Sequence, residues 1–342
     1  MLVSDPLSQE VGIYVSSSEH KCAILKALFG CQLSVDDFAR SPKIWGGYFE
    51  YYHEQSIMAL SNNGLSNVVQ THGDVVSMVK LLQVPEHTRE TIQKLEKARL
   101  EDLKRDVDHE KICNAIDLGV KLGMMLLGGE GVLAWQDDQL LVSLSTEFSK
   151  VGLLEKEKVR LDKLFNARNL DHIAGLKIVW TSNLADHLRV QNDDTEVSIF
   201  HCASFLKCQT GNQVFPSGFI DETIRTLGLL LPQYDKDSNK WFGKQGKNEP
   251  LDENAIKCGH LTAEARQIEN FHYWRDRLII LKQVFDEAKP RGIKQWWRDR
   301  RDPVQWYSFW FAVAVIAGLT ILFGLVQCVE GGIQVWKAYH PS

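Results

Sequence analysis

"RRDPVQWYSFWFAVAVIAGLTILFGLVQ", residues 300–327, decides how this chain is organised. From Trp306 to Val326 it runs for 21 residues without a charge, and its only aliphatic hydroxyls are Ser308 and Thr320. At ~1.5 Å of rise per residue such a helix covers roughly 30 Å, the thickness of a bilayer's hydrocarbon core. A soluble helix of that length carries a polar stripe at the 3.6-residue period because one face must meet water. None is present here. Trp306, Tyr307 and Trp310 crowd one end, and Trp336 and Tyr339 lie beyond the other, where amphipathic rings favour the membrane interface. These features predict a transmembrane helix over 304–328 and a short non-cytosolic tail over 329–342. A fully buried core helix is the competing reading.

Charge predicts the orientation. Residues 289–302 carry Lys289, Arg291, Lys294, Arg298, Arg300 and Arg301 against Asp299 and Asp302, a net of +4, whereas residues 303–342 hold only Glu330 and Lys337. The positive-inside rule therefore places the N-terminal side in the cytosol. The opening "MLVSDPLSQEVGIYVSSS" is too polar for a signal peptide, which makes a tail-anchored, post-translational insertion the expectation. Lys294, Arg298, Arg300 and Arg301, interleaved with Trp296 and Trp297, make residues 289–303 a basic aromatic juxtamembrane segment. Such a segment prefers anionic headgroups, at about 1 kcal/mol per basic residue near the surface; simple topology determination is its blander role. Within the span, Ala314 with Gly318 and Thr320 with Gly324 are small-xxx-small pairs that permit close helix approach and self-association.

The rest of the chain is ordinary globular material, with 44% hydrophobic and 24% charged residues in a total of 342. The whole carries −5, so removing the +4 segment and the neutral C-terminus leaves residues 1–288 at −9. A body that acidic is a poor partner for nucleic acid. Seven cysteines, odd in number and scattered, do not resemble a disulfide framework, and no Asn-x-Ser/Thr acceptor occurs. Both facts suit a reducing cytosol.

A mainly α-helical cytosolic body over 21–288 with a small two-stranded β element follows from the periodicities, after a loosely ordered segment over 1–20. "SVDDFARS" gives Ser34 as a helix cap, and a helix is expected near 75–84. The charged run after Pro85 predicts a helix with Glu90–Lys94 and Glu101–Arg105 pairs and a seam of Ile92, Leu95, Leu100, Leu103 and Val107, with a sub-boundary near 105–111. "ICNAIDLGVKLGMMLLGG" contains Asp117 and Lys121, which makes it a core helix and not a second span. "KIVW" and "TEVSIF" are β-prone, separated by a short helical turn capped at Thr181 or Ser182. Ser217 is expected to cap the helix that ends before Pro232, and residues 233–254 to form a mobile loop. Thr262 is expected to open the last soluble helix, whose Phe271, Trp274, Leu278, Leu281 and Phe285 form a seam that clamps it to the body.

Taken together, "IVWTSNLADHL", "IFHCASFL", "FHYWRDRLIILKQVFDEA", "WWRDRRDPVQWYSFW" and the GLVQC-EG run ending at Gly331 resemble an uncharacterised family of filamentous-fungal (ascomycete) proteins with a C-terminal membrane anchor. The resemblance spans about 112–339. It implies the same topology and brings no activity or site residue with it.

No motif assigns chemistry. His201, Cys202 and Cys208, or Cys258 with His260, are zinc-ligand types without zinc-ligand spacing. Cys202 beside His201, with Asp186 and His187 upstream, is the one nucleophile and base combination worth testing. "GGEG" and "GKQGK" match no phosphate-binding loop. The expectation is thus a membrane-anchored interaction or scaffold protein without a cofactor or metal, its partners being membrane lipid and either an unknown protein or a second copy. An enzyme built on His201 and Cys202 is one alternative, and an oligomer that remodels or permeabilises membranes is another.

Overall fold

The computed structural model describes residues 5–31, 33–62, 68–105, 108–126, 135, 139–148, 159–288 and 303–339. The N-terminal part is helical: α1 (Ser18–Phe29), α2 (Val35–Arg40), α3 (Gly46–Asn62), α4 (His72–Leu82), α5 (Arg89–Asp102), α6 (His109–Met124) and α7 (Leu140–Phe148). α4 starts three residues earlier than the apolar pattern suggests because a capping box sets its first turn. The Thr71 hydroxyl accepts from the Asp74 N–H (3.3 Å), and the Asp74 carboxylate accepts from the Thr71 N–H (3.0 Å). α6 is the expected core helix, and two of its residues explain how near it comes to α4. A Cβ on Gly119 would sit 2.6 Å from Met78 Cγ, and one on Gly123 would sit 2.7 Å from Val79 Cγ1. Only glycine admits that approach. α3 crosses the end of α6, where the Tyr48 and Tyr51 hydroxyls donate to the carbonyls of Leu122 and Lys121, each at 3.0 Å. Those are last-turn carbonyls that the helix itself leaves without a donor.

Several local expectations change. The segment 1–20 is tied down from Asp5 onward: Val11 donates its N–H to Gln70 O at 2.9 Å, and Val11 and Val15 are buried. On α5 only Ile92 and Leu100 of the seam are buried, whereas Leu95 and Leu103 face solvent; Val107 lies outside the described residues. Their place inside is taken by Glu96, neutralised by Arg99 at 2.6 Å. The Glu90–Lys94 pair forms at 2.6 Å, but Arg105 reaches Asp74 (3.2 Å) instead of Glu101. A buried carboxylate is the stronger attractor, because a solvated helix-surface pair contributes little. α5 and α6 pack on each other, so no domain break falls near 105–111.

The second half holds a short helix α8 (Ala167–Asn169) that widens into a π-turn, then β1 (Lys177–Thr181), β2 (Val190–Gln191), β3 (Glu196–Phe200) and α9 (Ala203–Gln209). The sheet has three strands in the order β1-β3-β2, not two. β1 and β3 are parallel with Lys177 opposite Glu196, and β2 pairs antiparallel with β3. The extra strand was readable in "QNDDTE": Asn192, Asp193 and Asp194 all take positive φ (53°, 51° and 59°), which these residue types tolerate, and turn β2 back onto β3. The turn between β1 and β2 is capped by Asn183, whose side chain accepts from the Ala185 N–H, and not by Thr181 or Ser182.

α10 (Phe219–Leu230) begins after Gly218, which takes φ 80° where Ser217 was expected to cap. Residues 233–254 are not a loop throughout. α11 (Lys236–Gln245) occupies their middle, starting at the Asp235 cap and fixed by Trp241 Nε1 donating to Asp171 Oδ2 at 2.8 Å. α12 (Arg275–Glu287) starts well after Thr262, yet all five seam residues are buried as expected. Its start is set from α10: the buried Glu222 carboxylate accepts the N–H groups of His272 (2.7 Å), Tyr273 and Trp274 (2.8 Å each). A carboxylate at a helix N-terminus meets both the orphan donors and the positive end of the macrodipole. Replacing Glu222 by alanine strands those donors and is expected to cost about 3 kcal/mol in a denaturant titration. A Glu222→Ala midpoint within experimental scatter of the parent would show that solvent replaces the carboxylate without penalty.

Cys31 and Cys208 are bonded, with Cα atoms 6.0 Å apart, one pair in a set of seven that does not otherwise form a disulfide framework among the described residues. They are 177 residues apart in sequence, so no local spacing announces the pair. The chain divides into two units, Met1–Asp171 with Leu176–Glu287, and His172–Gly175 with Ala288–Ser342. The described part of the C-terminal segment is a single helix, α13 (Pro303–Tyr339).

Candidate functional site

α13 is 37 residues long, roughly 55 Å at the usual rise, and so continues beyond the expected span end at 328 through most of the expected tail. Its stretch Trp306–Trp336 has a mean hydropathy of 2.5 and is long and apolar enough to cross a membrane. Phe311 (71%), Ile316 (65%) and Leu325 (60%) are exposed, the opposite of a soluble core helix. Trp306 meets Tyr307 edge-on at 5.1 Å and Trp310 at 6.4 Å, and Trp310 meets Phe309 at 5.2 Å, forming one aromatic cluster. Trp336 and Tyr339 stand exposed at the other end. The 30 steps from Trp306 to Trp336 correspond to about 45 Å, the thickness of a bilayer with its headgroups. Lys294, Trp296, Trp297, Arg298, Arg300 and Arg301 lie outside the described residues.

The small-residue pairs do not share a face. At about 100° per residue, Ala314 and Gly318 are centred roughly 120° around α13 from Thr320 and Gly324, so one helix-helix contact cannot use both. A Cβ on either glycine would meet nothing within 4 Å. The Ser308 and Thr320 hydroxyls donate back to Val304 O and Ile316 O, each at 2.8 Å, and need no partner in an apolar solvent.

In the body, His201 and Cys202 fall at the join of β3 and α9, both buried. The structure adds Ser182, Asp252 and Gly47 to them, residues too distant in sequence for spacing to reveal. His201 Nδ1 accepts from the Asp252 N–H (3.4 Å), and Nε2 lies 3.5 Å from the Ser182 hydroxyl. With Nδ1 accepting, the neutral ring carries its proton on Nε2 and offers Ser182 a donor. It has no free lone pair with which to act as a base. Burial holds His201 down to about 4. Cys202 lies 3.8 Å from His201 Nδ1, and burial together with the Asp252 carboxylate pushes its thiol well above its ordinary value, away from the thiolate that a nucleophile or a metal requires. Gly47 permits this packing, since a Cβ there would sit 2.5 Å from His201 Cε1 and 2.6 Å from Pro250 O. A cavity of about 320 Å³ opens beside the cluster, lined by Tyr51, Trp180, Ser182 and His201 with Glu54 and Glu249.

Asp186 lines the same cavity, whereas His187 does not. Asp186 receives Asn183 Nδ2 (2.7 Å) and Arg189, while His187 is spent on structure: its Nδ1 accepts from the Phe200 N–H (3.1 Å) and its Nε2 donates to Thr226 Oγ1 (2.7 Å). Cys258 donates to Asn254 O at 3.4 Å, and burial pushes it up to about 11, while His260 is exposed against Tyr234. No group of three His, Cys, Asp or Glu among the described residues is placed to hold a metal. A cavity of about 500 Å³ near α10 is lined by Lys163 and Arg266 but also by Asp162 and Asp235, so formal charge favours neither sign of ligand there.

Comparison with protein-family models, with curated proteins and with solved structures returns no match.

Proposed function

We propose that this chain is a single-pass membrane protein whose helical body faces the cytosol and serves as an interaction or scaffold module. Residues 289–303 would lie in the anionic headgroup layer. The observation that carries the reading is α13, an exposed apolar helix with aromatic residues at both ends, separated by a bilayer's thickness. Water would order around its whole surface, and lipid removes that cost. The buried, protonated thiol of Cys202 and the occupied lone pair of His201 weigh against the enzymatic alternative. The fungal-family resemblance is part of this proposal and rests on its motifs alone.

The full-length chain is expected to stay with membranes through an alkaline carbonate wash, while removal of residues 303–342 releases a body that unfolds at an unchanged midpoint. Extraction of the intact chain by carbonate would sink the assignment. A scaffold should lose its cellular phenotype with that deletion and keep it in Cys202→Ala, whereas an enzyme should show the reverse. Dye release from anionic liposomes at saturating protein would move the reading to a permeabilising oligomer.

The Cys31–Cys208 bond favours a second placement, with the body in an oxidising compartment, because such bonds persist there and are rare in the cytosol. Protease added to sealed vesicles separates the two. A digested body supports the cytosolic side, and a protected one supports the other.

A further inference from the structure

We propose that the crevice beside the Cys31–Cys208 bond receives a low-molecular-weight thiol bearing carboxylates, which opens the bond by attack on Cys208. The crevice, of about 850 Å³, lies where the end of α1 meets the end of α9, and α4 contributes Lys80 and Gln83 to it. Two features point to this ligand. Its charge is one-sided: Lys26 and Lys80 line it, both exposed, and no carboxylate does. The buried Gln209 backs the wall, its Oε1 accepting from Asn212 Nδ2 at 2.6 Å. Finally, the two sulfurs are unequal: Cys31 is buried, whereas Cys208 is half-buried and on the crevice wall.

The exchange balances without a further reactant. The incoming thiolate forms a sulfur-sulfur bond to Cys208 as the Cys31–Cys208 bond breaks, and the electron pair leaves on Cys31, which takes a proton from water. A second thiol attacks the mixed disulfide, frees Cys208 and departs as the oxidised dimer of the ligand. Two thiols are oxidised and one protein disulfide is reduced. Lysines beside the attacked sulfur favour an anionic thiol over a cationic one. The consequence is a body whose α1 and α9 segments are fastened or released by the thiol pool, whichever side of the membrane it occupies.

The test uses the full-length chain in detergent, with glutathione and cysteamine as probes at equal thiolate concentration. After acid quenching and alkylation, mass spectrometry follows the bond. Glutathione is expected to open it about tenfold faster, which is about 1.4 kcal/mol of barrier, with the mixed disulfide on Cys208. Charge reversal by Lys26→Glu with Lys80→Glu should abolish the preference; both positions are exposed, so folding is spared. Equal rates for the two thiols, a mixed disulfide on Cys31, a preference that survives charge reversal, or free thiols at both positions in air-oxidised protein would each overturn the proposal.

Discussion

Acidifying the protein from pH 6 to pH 4 is expected to lower the unfolding free energy of the body by on the order of 3 kcal/mol per pH unit. Three buried histidines are responsible. Burial holds His72 down to about 4, with His20 adding to it; burial and the nearby Arg277 hold His187 down to about 3; burial holds His201 at about 4. Each is neutral in the fold and becomes charged in the unfolded chain below its ordinary 6.5. Their stabilisation is therefore complete above pH 6.5 and is lost as the pH falls toward 4. Asp252 works the other way. Its burial outweighs the hydrogen bonds from Ser204 and Asn254 and raises it to about 6, so the fold holds a proton between 3.8 and 6 that the unfolded chain has lost. Stability tied to Asp252 falls as the pH rises through that window. Three histidines against one carboxylate leave the unfolded state with about two extra protons, which sets the slope. Urea titrations at half-unit intervals measure it, and His187→Gln should remove about 1.4 kcal/mol per pH unit. Stability that is flat from pH 6 to 4 would mean that these rings are solvated.

Breaking the Cys31–Cys208 bond is expected to cost up to about 5 kcal/mol, because the bond closes a loop 177 residues apart in sequence and so removes much of the freedom of the unfolded chain. The same cause predicts a larger denaturant dependence after reduction, since the freed chain exposes more surface. Cys208→Ser should reproduce the reduced protein, because it removes the same cross-link and changes one half-buried atom. Equal midpoints with and without reductant would indicate that the closed loop is compact even when unfolded.

Most helices were readable because an apolar face repeats along each one. The five-residue seam from Phe271 to Phe285 is buried in full, although α12 itself begins only at Arg275. Its start is not legible in sequence because Thr262 has the right chemistry for a cap, while the carboxylate that sets the start belongs to Glu222, 50 residues earlier than His272. α11 looks like a loop in sequence since its polar face dominates "KDSNKWFGKQ", and Trp241 and Phe242 supply the buried anchor that composition averages away. Leu95 and Leu103 show the converse: they fit a seam, but the ion pairs around Glu96 turn them to solvent.

By itself the sequence determined that the C-terminal stretch is one helix long and apolar enough to cross a membrane, because that depends on the composition of one contiguous stretch and on no neighbour; that the helix runs on to Tyr339 came only from the structure. Only the tertiary structure decided that Cys31 meets Cys208, that Glu222 sets the start of α12, and that His201 faces Ser182 and Asp252 with its lone pair occupied. Those contacts join residues 19 to 177 positions apart. Their energies come from burial and geometry that exist only after the chain has closed on itself.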